Sequence, residues 1–189
     1  MNTKFKSYKE KKKMKTSNKI IVLAAFVAML MNVSPVLAGQ SVLKILAPWQ
    51  GHGQVFKIAP DKVKVVGSFD GIMYIDNGKG ELDAALFMCP GTEYINLKTK
   101  KATINADCII SKGDKKIAYA TLKAAGAPGA FNGDFNIIGG EGKWKGISGN
   151  GKVTIRTALG DIALNKKTGE LVNKAAGLAV WPALKVRLP

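Results

Sequence analysis

Apolar and polar residues alternate along most of the chain after residue 60, which is the period of a half-buried β-strand. The clearest alternation lies at residues 131–137, where two phenylalanines and an isoleucine are separated by asparagine and aspartate. Similar alternation recurs at residues 63–75, 102–111, 117–122 and 153–157. Because these short segments are separated by glycine-rich turns and no convincing helical period follows the first 38 residues, the pattern predicts an all-β, antiparallel fold. Pro90 is expected to end the segment before it, and Pro182 to mark an edge position, a bulge or a break.

Glycines favour a barrel over a sandwich. Gly67 and Gly71 share the apolar face of their segment with Phe69, which indicates a coiled, bent strand. Residues 139–151 are rich in glycine, but they lack the GK[ST] ending of a phosphate loop and lead into a strand. We therefore expect a tightly turned barrel corner with Trp144 covering one end. Its structural glycines are Gly139, Gly140, Gly142, Gly146 and Gly149. Closure also removes exposed sheet edges, so the prediction is a single closed or nearly closed barrel.

The first 38 residues have the three-part pattern of a secretory signal. Residues 4–19 carry eight lysines and one glutamate, residues 20–31 are an uninterrupted apolar run of twelve, and Val36 and Ala38 are small residues before a cleavage point. A run of twelve is shorter than the ~20 residues of a membrane span, so no permanent membrane anchor is predicted. We expect a helical, cleaved signal peptide at residues 1–38, a flexible segment at 39–48 and a barrel domain at 49–189. The predicted location is periplasmic or extracellular.

The chain stays basic after removal of this leader. The leader holds eight of the 29 basic and one of the 13 acidic residues, which leaves 21 and 12, a net charge of +9. Such a charge favours an anionic surface as a partner, although a solvated basic face is the plainer interpretation. The lysines are scattered, without an arginine cluster or interleaved aromatic residues, so nucleic acid is not a predicted partner. The pattern gives no oligomeric state.

Cys89 and Cys108 are the only cysteines of the chain. In an exported protein two cysteines usually form a disulfide, which we predict here. Cys108 shares its alternation with Ile104 and Ile110 and is expected to point inward. No histidine or carboxylate has zinc-ligand spacing with the cysteines, so neither a metal site nor a cofactor is predicted.

The corner carries a family resemblance. The run GGEGKWKG at residues 139–146, followed by Gly149, resembles the GGTG-x-aromatic-x-G-x-x-G corner of allene oxide cyclase-like and dirigent-like barrels. The order of further residues is similar to that of small exported bacterial proteins with this type of barrel. These residues are Trp49, Gly53, Gly67, Phe69, Gly71, Cys89, Pro90, Cys108, Trp181 and Pro182. The resemblance spans most of residues 49–189 and implies about eight antiparallel strands. It carries no catalytic residues, and this chain has Glu141 where the relatives have threonine.

Candidate catalytic groups are few. His52 is the only histidine, and no serine or cysteine nucleophile is marked by its context, so no catalytic residue is predicted. A flexible, polar position near the mature start is the plainer interpretation of His52. Asp70, Asp76 and Asp83 are candidates for paired carboxylates, but their strand and turn positions indicate solvated side chains.

Two classes of function remain. The first is a non-catalytic binding or structural barrel that takes a small apolar ligand or meets a partner at its surface. Candidate ligand-binding residues are Phe69, Met73, Tyr119, Phe135 and Trp144, each of which also suits plain core packing. We expect apolar side chains to fill most of the interior and to leave at most a shallow pocket near Trp144. The alternative is a cyclase- or isomerase-like enzyme for a hydrophobic substrate, which an apolar cavity with convergent polar groups would favour.

Overall fold

A computed structural model describes residues 39–112, 115–164 and 171–189, which form a closed barrel of eight strands. Each strand pairs antiparallel with the next, and the last pairs with the first. The strands are β1 (Gln40–Ala59), β2 (Lys62–Asp76), β3 (Leu82–Asn96), β4 (Lys101–Lys112), β5 (Lys115–Ala127), β6 (Ala130–Gly140), β7 (Ser148–Leu164) and β8 (Leu171–Arg187). The predicted antiparallel barrel is confirmed. The predicted signal peptide lies outside the described residues.

Two strands are longer than the sequence pattern indicated. β1 begins at Gln40, so residues 40–48, expected to be flexible, instead pair with β8. β3 continues through Pro90, where a break was expected. Pro90 lies opposite Ser68 of β2, and it is not among the residues of β3 that pair with β4. A proline in a strand loses only its own N–H bond to the ladder.

The inward-facing glycines of β2 allow close strand approach, as predicted for a bent strand. A Cβ atom on Gly67 would lie 2.1 Å from the His52 carbonyl oxygen, and one on Gly71 would lie 2.1 Å from that of Pro48. Such distances are far inside van der Waals contact, so only glycine fits there. The register of β8 against β1 shifts between Trp181 and Leu184, which places a bulge at Pro182. Of the positions expected for this proline, the bulge is the one that the structure has.

The glycine corner joins β6 to β7. A single turn of 3-10 helix, Gly142–Trp144, follows β6, and two of the corner glycines have positive φ, 58° at Gly142 and 94° at Gly146. Trp144 is half-buried and packs against the core. Among the described residues, no helix has the length and hydropathy to cross a membrane.

The barrel has two unlike ends. We call the end with the connections after β2, β4 and β6 the corner end, and the end with the connections after β1, β3, β5 and β7 the cavity end. Side chains fill the interior towards the corner end, where Phe135 and Trp181 pack edge to face with ring centroids 5.3 Å apart. The largest fully buried side chains are Phe135, Met73, Leu122, Leu184, Val153 and Cys89. This half therefore matches the expected filled interior.

Candidate ligand-binding cavity

A half-open cavity of about 320 Å³ occupies the interior at the cavity end. Its wall on β1, β2 and β3 includes Gly51, Gly67 and Gly91, which have no side chains to project inward. Gly91 pairs with Gly67 on one side and with Ala106 of β4 on the other, so small residues face the interior on adjacent strands. This run of small residues leaves the space that bulkier residues fill in the other half of the barrel.

The rest of the lining is mostly apolar. Aliphatic and aromatic side chains surround the space: Trp49, Val65, Phe69, Ile95, Ile104, Phe131 and Ile155. Trp49 packs edge to face on Phe69 at 5.9 Å, and Phe69 packs in the same way on buried Phe87 at 5.8 Å. The aromatic wall is thus continuous with the filled core, which holds it in place.

Glu93 brings a carboxyl group to this apolar space. On β3 it shares its face with Cys89, Gly91 and Ile95, and all four line the cavity. Its register partners are Val65 of β2 and Ile104 of β4, so an aliphatic side chain lies on each side. Burial raises the pKa of the Glu93 carboxyl above its usual value, because desolvation disfavours the charged form.

Glu93 has no hydrogen-bond or ion-pair partner among the described residues. The two ion pairs found there lie elsewhere, Lys112–Asp83 at 2.7 Å and Lys152–Asp134, and both are exposed. An unpartnered carboxyl in apolar surroundings is costly for a fold and often marks a functional position.

Other polar groups contribute to the lining. Thr157 and Asn173 lie on β7 and β8, across the barrel from β3, and exposed Asp161 lies near them. His52 also contributes to the wall, although it occupies an exposed position of β1 between inward-facing Gly51 and Gly53. The Trp49 indole N–H is buried and has no acceptor among the described residues.

The disulfide adjoins the cavity, because Cys89 is one of the lining residues. Cys89 and Cys108 are bonded as the sequence predicted, with their Cα atoms 4.1 Å apart and both side chains buried. They lie between the register pairs Met88–Ile109 and Gly91–Ala106, so the bond joins directly opposed residues of β3 and β4. It therefore fixes the two strands immediately beside Gly91 and Ala106.

Of the five predicted ligand-binding residues, only Phe69 lines the cavity. Met73 and Phe135 are buried in the filled half, and Trp144 lies at the corner end. Tyr119 occupies an outward position next to the corner, where its hydroxyl donates a hydrogen bond to the Glu141 carboxylate. That bond is the main reason that the Tyr119 pKa is raised. The cavity is thus at the opposite end of the barrel from the expected shallow pocket.

The three candidate aspartates do not form a pair in the cavity. Asp70 accepts a 3.4 Å hydrogen bond from the Gln50 amide, and Asp76 caps its own turn through the Gly78 N–H at 2.7 Å. Asp83 pairs with Lys112, whose hydrogen bond lowers the Asp83 pKa. Within the described part of the chain, no group of three histidine, cysteine or acidic side chains is placed to hold a metal ion.

Glu93 is the functional candidate that sequence reasoning missed. The strand break expected at Pro90 separates residues 93–95 from the segment before it. With that break, the inward orientation of Glu93 does not follow from the alternation. A continuous strand from Leu82 gives Glu93 the same orientation as Cys89, which was the available signal.

Three comparisons, with protein-family models, with curated proteins and with solved structures, give no match to this chain, so the resemblance of the glycine corner stays a prediction.

Proposed function

We propose that this protein is an exported binding barrel that holds one small, largely apolar ligand in the cavity. The observation that carries the proposal is a half-open space of about 320 Å³, lined mainly by apolar side chains, at one end of an otherwise filled barrel. Small-molecule sites are typically concave, mostly apolar and ~300–1,000 Å³ in volume, with a few polar groups that orient the ligand.

Export is supported by the sequence of the leader and is compatible with the disulfide. Cys89 and Cys108 are bonded, and such bonds persist mainly in oxidising compartments. An anionic surface as a second partner stays a prediction of the net charge alone.

The test is binding of the neutral, environment-sensitive dye prodan to the mature chain. We expect saturable binding with one site and a blue shift of the dye emission, because the cavity excludes water from the dye. Ala175 lies between Gly51 and Gly160 in the register and lines the cavity, so Ala175→Phe fills the space and weakens binding by about tenfold or more.

Its matched control is Ala176→Phe, one residue further along β8, which faces outward between Gln50 and Leu159. That variant should bind the dye like the wild type. Equal binding by both variants, or none by the wild type, would overturn the proposal.

A second candidate function rests on Glu93. A carboxyl group with a raised pKa in an apolar cavity has the character of a general acid or base. This favours a cyclase- or isomerase-like enzyme that moves a proton on a hydrophobic substrate, with Glu93 as the proton-transfer group.

The probe for this candidate is 5-nitrobenzisoxazole. A carboxylate base takes the ring C–H proton while the N–O bond breaks, which releases a coloured cyanonitrophenolate. Catalysis above the solution rate that disappears in Glu93→Gln supports proton transfer in the cavity. A rate equal to that of Glu93→Gln leaves binding as the function.

A further inference from the structure

We propose that the ligand is a small hydrophobic amine, with its apolar body in the cavity and its protonated nitrogen paired with the Glu93 carboxylate. This inference rests on the proposed binding function and names the ligand class. The Glu93 carboxyl group has no partner among the described residues, and in this proposal the ligand supplies one.

The charge of the lining is the first argument. Among the described residues that line the cavity, the ionisable side chains are Glu93, Asp161 and His52, and none is a lysine or an arginine. The mature chain carries a net charge of +9, so an acidic cavity is opposite in sign to the molecule as a whole. An anionic ligand would meet a carboxylate without a compensating cation, whereas a cation would complement it.

The position of Glu93 is the second argument. Its register partners, Val65 and Ile104, are aliphatic, and the residues before and after it on the inward face of β3 are Gly91 and Ile95. A charge-assisted hydrogen bond is strongest where water is scarce. In the proposed complex, such a bond to Glu93 holds the nitrogen of the ligand, and the apolar body of the ligand lies against Trp49 and Phe69. Thr157 and Asn173 on the opposite side leave room for a further polar group of the ligand.

The third argument is the effect that a bound ammonium has on the pKa of the Glu93 carboxyl group. Burial raises the Glu93 pKa, and a bound ammonium favours the ionised form. Amine binding therefore lowers the Glu93 pKa again, and the affinity falls as the pH drops through that pKa. Asp161 and His52, the other ionisable lining residues, are exposed to solvent.

The experiment uses three probes that share one aromatic body: 2-phenylethylamine, 2-phenylethanol and 3-phenylpropionate. Their affinities for the mature protein are measured at neutral pH by titration calorimetry. We expect the amine to bind about tenfold or more tightly than the alcohol, since only the ammonium brings a charge opposite to that of the Glu93 carboxylate. The carboxylate probe should bind most weakly, because it brings a charge of the same sign.

Glu93→Gln keeps the shape and removes the charge, so the amine should lose its advantage over the alcohol while the alcohol binds as before. Glu81→Gln is the matched control, because it removes one exposed carboxylate at the corner end, the opposite end of the barrel from the cavity. It should retain the preference for the amine. A circular dichroism spectrum and a thermal midpoint check that each variant is folded.

A second measurement needs no variant. Between neutral pH and pH 4, the affinity of the wild type for the amine should fall, while that for the alcohol stays constant. If the alcohol binds and the amine has no advantage at any pH, the amine inference fails and the binding function stands. If neither these probes nor prodan binds, both fail.

Discussion

Glu93 illustrates how one side chain changes the character of a cavity. Its carboxyl group faces apolar neighbours and has no partner among the described residues, so burial raises its pKa. The folded protein consequently holds this proton at pH values where the unfolded chain, with a carboxyl pKa near 4.5, has already released it. The free energy of unfolding must then decrease as the pH rises from about 4.5 through the folded-state pKa.

Glu93→Gln should remove this pH-dependent loss. We expect the variant to be more stable than the wild type at pH 7 and the difference to shrink below pH 4.5, where both folded and unfolded wild-type chains hold the proton. Urea unfolding at pH 4 and pH 7 measures this. A constant difference between the two proteins at both pH values would contradict the view that Glu93 is half-buried without a partner among the described residues.

At the scale of the element, β3 and β4 show what the sequence could predict. The alternation around Cys108 correctly predicted its inward orientation. The bond to Cys89 was predicted because an exported chain with two cysteines usually joins them. The pairing that places the two cysteines directly opposite each other could not be predicted, because register depends on the turn between strands and on the neighbours across the sheet.

The continuity of β3 through Pro90 was missed for a related reason. Pro90 is tolerated because the rest of β3 is fixed by β2 on one side and by the disulfide on the other.

Loss of the Cys89–Cys108 bond should destabilise the barrel by about 3 kcal/mol on the loop-entropy model, since it closes a loop with a sequence separation of 19. For a domain of this size, that corresponds to a thermal midpoint lower by roughly 10 °C. The measurement compares the wild type with and without reductant.

The double variant Cys89→Ala/Cys108→Ala is the control. Its midpoint should be low and should not respond to reductant. A wild-type midpoint unchanged by complete reduction would show that the bond adds nothing to stability.

At the scale of the whole molecule, the antiparallel barrel was predictable and its two unlike ends were not. Alternation identifies which residues face inward, but the stagger of the strands decides which of them lie at the same level of the barrel. Gly67, Gly91 and Ala106 are far apart in the sequence and adjacent in the sheet, so their combined effect on the interior appears only in the closed structure. For the same reason, the apolar candidates Met73 and Phe135 could not be distinguished from Phe69 before the stagger of the strands was known.

The leader predicts that the exported chain begins at Gly39. Intact-mass measurement of protein from the exported fraction should give the mass of residues 39–189, because cleavage after Ala38 follows the small-residue rule. Ala38→Lys, which places a large charged residue at the cleavage point, should leave the precursor uncleaved. Recovery of the wild-type precursor at full length in the membrane fraction would contradict the prediction.

The hollow at Gly67 and Gly91 also has a consequence for how the protein can change over generations. A Cβ atom at Gly91 would lie 2.4 Å from the Asn105 carbonyl oxygen, and at Gly67 the contact with His52 is closer still. Any side chain at these two sites strains the barrel before it reduces the cavity. We therefore expect substitutions at these glycines to be selected against through loss of folding, independently of any binding function. Substitutions at Ala106 or Ala175 can change the shape of the cavity. The cavity itself depends on the same two glycines as the bend of the strands, so a sequence that keeps this fold keeps the cavity as well.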